Sequence, residues 1–195
     1  MKKDKSLNTA LKNGEVIGFE TDTVWGIGAL PNSEKGVGNI YEIKKRDLSK
    51  PLILMSDKLE NLLPYIEKMP ENAAKIAKKY FPGAVTLVVK KSNLTPDYIT
   101  NALPTVGIRV PNHKEFQNLC KKIDGGVLAT TSANISNQKT SICRADVEKS
   151  IGNKLFKIYG EDTICEGIAS TVVYVGEDNS VKILRQGSVY LENCI

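Results

Sequence analysis

Hydrophobic and polar positions recur with a regular period along most of the chain, and those periods assign elements. The segment EVIGFE (Glu15–Glu20) reads as a first strand, followed by a Gly- and Thr-rich turn, TDTVWGIG. Asn32 or Ser33 is placed to cap a helix running to about Lys44, with Val37, Ile40, Tyr41 and Lys44 on one face. PLILM is a short apolar run of the kind buried on both faces of a sheet. Around Asn72–Tyr80 the spacing of Ala73, Ile76, Ala77 and Tyr80 predicts a helix that stops at Pro82-Gly83. AVTLVVKK and TVGIRVP follow as strands, then a helix over Lys114–Ile123 and a strand GVLATT that runs into the polar loop SANISNQKTS. STVVYV and SVKILR, joined by GEDN, predict a hairpin. Helices and strands interleave, but the hairpin excludes an all-parallel sheet. The expectation is a mixed α/β (α+β) sheet in one domain spanning 1–195.

Composition adds little to that picture except a charge. Hydrophobic residues make up 41%, enough for a packed core, and no apolar run approaches the roughly 20 residues that span a bilayer. The N-terminal MKKDKSLNTALKNGE lacks an apolar h-region, so a cytoplasmic protein without a membrane association is expected. Cys120, Cys143, Cys165 and Cys194 form no C-x-x-C pair, and His113 is the only histidine; reduced thiols are expected rather than a zinc site. His113, beside Pro111-Asn112, is expected to be a polar surface residue. The net charge of +5 leans towards an anionic partner, a nucleotide or RNA.

No P-loop, dinucleotide-binding G-x-G-x-x-G, G-x-S-x-G elbow or H-E-x-x-H motif occurs. Chemistry is therefore sought in polar clusters just beyond strand ends, where open sheets place ligands. Thr21 and Thr23 share a side of an extended chain, but on spacing a turn in which Thr and Asp cap their own backbone is the simpler account. In IKKRDLSKPLI, an extended exit from the helix points Lys44 and Arg46 the same way, a phosphate clamp in waiting. Cations at a helix C-terminus, worth about 0.3–1 kcal/mol through the dipole, explain the same residues. Spacing leaves the two readings level. Arg109, inside VGIRVP, projects either to solvent or towards a carboxylate in a pocket. TTSAN (Thr130–Asn134) crowds hydroxyls and an amide at a strand terminus, as a cap or as donors to a nucleotide.

Taken in order, ETDTVWGIG, KKRDLSKPLI, FPGAVTLVV, VGIRVP, SANISN, STVV and LRQG resemble the motifs of the YrdC-like family, the threonylcarbamoyl-AMP synthases. The resemblance runs from about Asn13 to Gly187. It implies a twisted mixed sheet with flanking helices and a basic concave surface. It implies an enzyme, a nucleotidyltransferase, that makes threonylcarbamoyl-AMP from L-threonine, bicarbonate and ATP with Mg²⁺ on the phosphates. The product would pass to threonylcarbamoyl-transferase proteins that modify tRNA. The few residues after Gly187 are not expected to supply the second domain of longer relatives.

Carried over by position, the resemblance makes Lys44 and Arg46 the catalytic phosphate-binding pair, with Lys50 close to the nucleotide. Thr105, Thr130, Thr140 and Arg185 fall at ATP positions, and Asn134 shapes the nucleotide site. Thr23, Arg109, Ser132 and Ser170 fall where the family holds L-threonine. The chain departs from the family pattern at Glu20, Trp25, Asp47, Met55 and Asn137, of which Asp47 sets an acid beside the proposed clamp. Asn137, in place of Gly, is expected to tolerate a left-handed backbone. The rival readings are a non-catalytic module binding double-stranded RNA or tRNA, which leaves Thr23, Ser132 and Ser170 unexplained, and a carbamoyl-transferring domain like that of hydrogenase maturation proteins.

Overall fold

The apolar periods translate into nine strands and six α-helices among the residues that the computed structural model describes, 3–161 and 164–191. Cys194 lies outside them. In chain order these are α1 (Lys5–Lys12), β1 (Ile17–Phe19), β2 (Gly26–Ala29), α2 (Glu34–Lys44), β3 (Ile53–Ser56), α3 (Glu71–Tyr80), β4 (Val85–Lys90) and α4 (Asp97–Thr100). They continue as β5 (Thr105–Arg109), α5 (Lys114–Lys122), β6 (Val127–Ser132), α6 (Arg144–Ile151), β7 (Lys157–Tyr159), β8 (Thr171–Val175) and β9 (Val181–Arg185). One sheet takes all the strands in the order β7-β1-β2-β6-β3-β5-β4-β8-β9. Three pairings, β1/β7, β3/β5 and β4/β8, are parallel and the rest antiparallel, so the expected mixed sheet is what forms. The C-terminal hairpin is present as β8 and β9.

Side-chain alternation divides the sheet into two unequal faces. Ile27, Leu54, Leu87, Val106, Ile108, Ala129 and Val173 point to one side, against Val37, Ile40 and Tyr41 of α2, Ala73, Ile76 and Ala77 of α3, and Val147 and Ile151 of α6. α2 begins at Ser33, whose hydroxyl accepts from Gly36 N, so the second of the two proposed caps is used. On the other side α1 and α5 cover only part of the sheet. Their Leu7, Leu11, Phe116, Leu119 and Cys120 pack on Ile17, Phe19, Met55 and Leu128. The uncovered remainder of that face carries the polar residues.

Two expectations change here. TDTVWGIG is not all turn: the chain turns over Thr21–Trp25, and Gly26–Ala29 is a strand paired antiparallel with β1. Two glycines in four residues look like a turn locally, but Phe19 lies across them. A Cβ on Gly26 would stand 2.5 Å from Phe19 Cε2, so the bare backbone is what lets the ring pack. His113 is not a free surface residue. Its Nδ1 accepts from Phe116 N at the start of α5, and its Nε2 lies 3.7 Å from Oε1 of buried Glu20.

Among the described residues Cys120, Cys143 and Cys165 are free thiols, as expected. Burial pushes the Cys165 thiol up to about 11 and Cys120 well above its ordinary value, which makes both inert. No helix among the described residues is long and apolar enough to cross a membrane.

Candidate active site

Registers on the half-covered face bring the strand-end polar residues together. Ile53 pairs with Gly107 and Thr130, Met55 with Arg109, Gly26 with Ser132, and Val172 with Arg185. These partners share a face, so Thr130, Ser132, Arg109, Thr86, Val172 and Arg185 converge. They border a cleft of about 280 Å³ whose wall also includes Thr23, Val24, Arg46, Pro51, Thr140, Ala169 and Ser170. Gly107 keeps the floor low: a Cβ there would meet Ile53 Cγ2 at 2.6 Å.

Arg109 ends β5 and is 2% exposed, so of its two readings the pocket-facing one holds. Its Nε donates to Gly83 O at 3.0 Å, Nη1 to Thr23 Oγ1 at 2.9 Å and Nη2 to Asp22 Oδ1 at 2.6 Å. Desolvation pulls its pKa down while the Asp22 carboxylate opposes that shift. The Thr21–Val24 loop does brace itself as a turn: Thr21 Oγ1 accepts from Thr23 N and Val24 N and lies 2.6 Å from Val24 O. Both readings of the two threonines hold, because Thr23 is also part of the wall.

The cations of IKKRDLSKPLI separate. An extended exit from the helix does not occur, because Lys44 is the last residue of α2 and Lys45 adopts the left-handed conformation at φ 49°. Lys44 is 1% exposed and turned inward. Its Nζ donates to Ser132 O and Asn134 O at 2.5 Å each and to Asn134 Oδ1 at 3.1 Å. It therefore secures the loop after β6 and does not border the cleft. Burial depresses its pKa to about 7, with the nearby Arg46 charge acting in the same direction. Arg46 alone of the pair reaches the wall, its Nε donating to Lys50 O at 3.1 Å and its Nη2 to Pro51 O at 3.0 Å. Asp47 caps the following turn, accepting from Ser49 N at 2.9 Å, and that bond holds its carboxyl below the usual range. The acid beside the clamp is thus a turn former.

Of the remaining sequence-derived residues, Thr130, Ser132, Thr140, Ser170 and Arg185 border the cleft, whereas Lys50, Thr105 and Asn134 do not. Thr105 stands four residues before Arg109 on the same face of β5. Lys50 is exposed and contributes its carbonyl to Arg46 and to the Tyr41 hydroxyl. Asn134 organises its own loop: Nδ2 donates to Ile135 O and Gln138 O, and Oδ1 accepts from Ser132 Oγ at 2.6 Å. Asn137 takes φ 65°, the left-handed backbone expected of it. Ser170 Oγ lies 2.8 Å from Thr86 Oγ1, and Arg185 Nη2 donates to Ser170 O at 2.9 Å. Thr86 and Asp22 escaped the sequence reading; a lone threonine inside AVTLVV was the available signal for the first.

The arrangement is a cleft at strand ends lined by hydroxyls and guanidinium groups, groups that can donate hydrogen bonds to anions. The sequence model of the Sua5/YciO/YrdC family, described as telomere recombination, matches residues 9–187, and the chain belongs to that family. A relative from Pyrococcus abyssi named threonylcarbamoyl-AMP synthase is 34% identical over 182 residues, which are 93% of this chain and 53% of that one. Another of that name, from Vibrio campbellii, is 29% identical over 189 residues, 96% of this chain and 100% of the relative. The chain thus spans about half the length of the first relative and the whole of the second. The crystal structure of P. abyssi Sua5 complexed with L-threonine superposes with a TM-score of 0.87 at 31% identity, covering 93% of this chain and 53% of that one.

Proposed function

We propose that this protein synthesises threonylcarbamoyl-AMP from L-threonine, bicarbonate and ATP, releasing pyrophosphate, as a cytoplasmic nucleotidyltransferase of tRNA modification. The observation that carries the reading is the convergence of separate motif segments on one cleft. Thr23, Arg109, Ser132 and Ser170 form the amino-acid side, and Arg46, Thr130, Thr140 and Arg185 the nucleotide side.

The amine nitrogen attacks the carbon of bicarbonate, a C–N bond forms and water leaves. An oxygen of the resulting carbamate then attacks the α-phosphorus, and the α–β anhydride bond breaks with its electron pair on pyrophosphate. Nucleophile, triphosphate and leaving group are all anions, so rate rests on fixed cations and alignment. The guanidinium groups differ in a way that suits this. Arg46 and Arg185 are held by neutral carbonyl oxygens of Lys50, Pro51 and Ser170, which orient them and leave their charge for phosphates. Arg109 is paired with Asp22, which offsets part of its field and suits it to a single carboxylate. Mg²⁺ bound with the nucleotide would offset the charge of the triphosphate beside Arg46 and Arg185. The product passes to threonylcarbamoyl-transferase proteins acting on tRNA.

Purified protein incubated with ATP, bicarbonate and L-threonine is expected to release pyrophosphate only when threonine is present, with an AMP adduct of matching mass. Pyrophosphate release indifferent to threonine, or none, would sink the reading. Arg46→Ala and Arg185→Ala are each expected to lower kcat/KM by about 10²-fold or more. Wild-type rates in both variants would remove the phosphate assignment.

A further inference from the structure

We propose that Asp22 is a positioning residue for substrate recognition: it sets the Arg109 guanidinium so that its remaining N–H groups grip the carboxylate of the amino-acid substrate. The inference rests on the reading of the cleft as an amino-acid site. A guanidinium has five N–H donors. Three are committed, to Gly83 O, Thr23 Oγ1 and Asp22 Oδ1. One N–H is left on each terminal nitrogen, and the group borders the cleft. A carboxylate accepts such donors as charge-assisted hydrogen bonds.

Asp22 is the counter-charge in this set. Gly83 O and Thr23 Oγ1 are neutral, and the Arg109 side chain is 3% exposed, so an unpaired guanidinium there would be costly. The Asp22 carboxylate is not needed to shape its own loop, because the Thr21 hydroxyl already braces Thr23 and Val24. Nor is Asp22 part of the cleft wall, although Thr23 and Val24 beside it are. Its chemistry therefore reaches a ligand through Arg109.

The test compares L-threonine with L-threoninol, which keeps the amine and β-hydroxyl and replaces the carboxylate by CH₂OH. Calorimetric titration of Asp22→Ala is expected to weaken L-threonine binding about tenfold or more while leaving L-threoninol at its wild-type affinity. In turnover, KM for threonine rises and KM for ATP stays. Asp22→Asn keeps an oxygen acceptor without the charge and is expected to fall between; it carries the same comparison if the alanine variant does not fold. Equal losses for both ligands would mean that Asp22 meets the ammonium directly and would overturn the proposal, as would unchanged threonine binding. Wild-type protein that ignores L-threonine would instead overturn the functional reading, and this assignment with it.

Discussion

Lys44→Met removes one ammonium, keeps the aliphatic stem, and separates two opposing effects of burial. The ammonium supplies donors to Ser132 O, Asn134 O and Asn134 Oδ1. A buried oxygen left without a donor costs about 1–3 kcal/mol, so the variant is destabilised wherever the lysine is not itself a burden. Against this stands desolvation, which lowers the Lys44 pKa from 10.5 to about 7. At about 1.36 kcal/mol per pH unit, that shift corresponds to about 5 kcal/mol. This figure is an upper bound, because the three oxygens favour the charged form and oppose it.

The sign follows from proton linkage. The folded pKa lies below the unfolded one, so between pH 7 and about 10.5 the unfolded chain keeps a proton that the folded protein has released. Stability of the wild type relative to Lys44→Met therefore rises with pH across that window and is lowest below about pH 7. Urea denaturation of both proteins from pH 6 to 10 reads the difference directly, with the other titrating groups cancelling. A difference that stays flat or falls with pH would refute the buried, desolvated lysine. A variant indistinguishable from wild type at pH 10 would refute its role in holding the loop.

Gly26→Ala should cost about 1–3 kcal/mol, seen as a lowered melting temperature, because the new methyl meets Phe19, which is itself wedged against Phe116 at 5.0 Å between ring centroids; an unshifted melt would mean the ring moves freely. Asp47→Ala should leave turnover and melting near wild-type levels, since its hydrogen bond is to Ser49 N and its fully exposed charge acts on Arg46 only weakly; a large loss of kcat would return Asp47 to the nucleotide site.

Much of the sheet was legible because its strands are long enough to show their period. β3, β4, β5, β6, β8 and β9 all lie within segments with clear apolar runs, and α2, α3 and α5 show helical spacing. One unread element, α1, is an eight-residue helix capped by Asp4 with Leu7, Ala10 and Leu11 buried, and its spacing was there to be read; the others are short or locally ambiguous. α4 has four residues and β7 three, α6 has a mixed polar surface, and β2 alternates Gly with apolar residues. The glycine strand is made by backbone pairing with β1 and β6, with Phe19 packed across its bare glycines, and no local period shows those partners.

The site divides along the same line. Of the residues that motif order singled out, Thr23, Arg46, Arg109, Thr130, Ser132, Thr140, Ser170 and Arg185 border one cleft, and Lys44, Lys50, Thr105 and Asn134 do not. Residue type and order persist in a linear text, and so does the covalent neighbourhood of a strand end. Direction does not. Lys44 and Arg46 are two residues apart and were paired on the assumption of an extended chain. A left-handed residue at Lys45 sends one ammonium under the Ser132–Asn134 loop and leaves the other cation at the cleft. Asp22 is 87 positions from Arg109, and only the packing of the β1–β2 turn against the end of β5 makes them an ion pair. Chain chemistry set which groups were available; the registers of nine strands and one backbone dihedral set where each of them points.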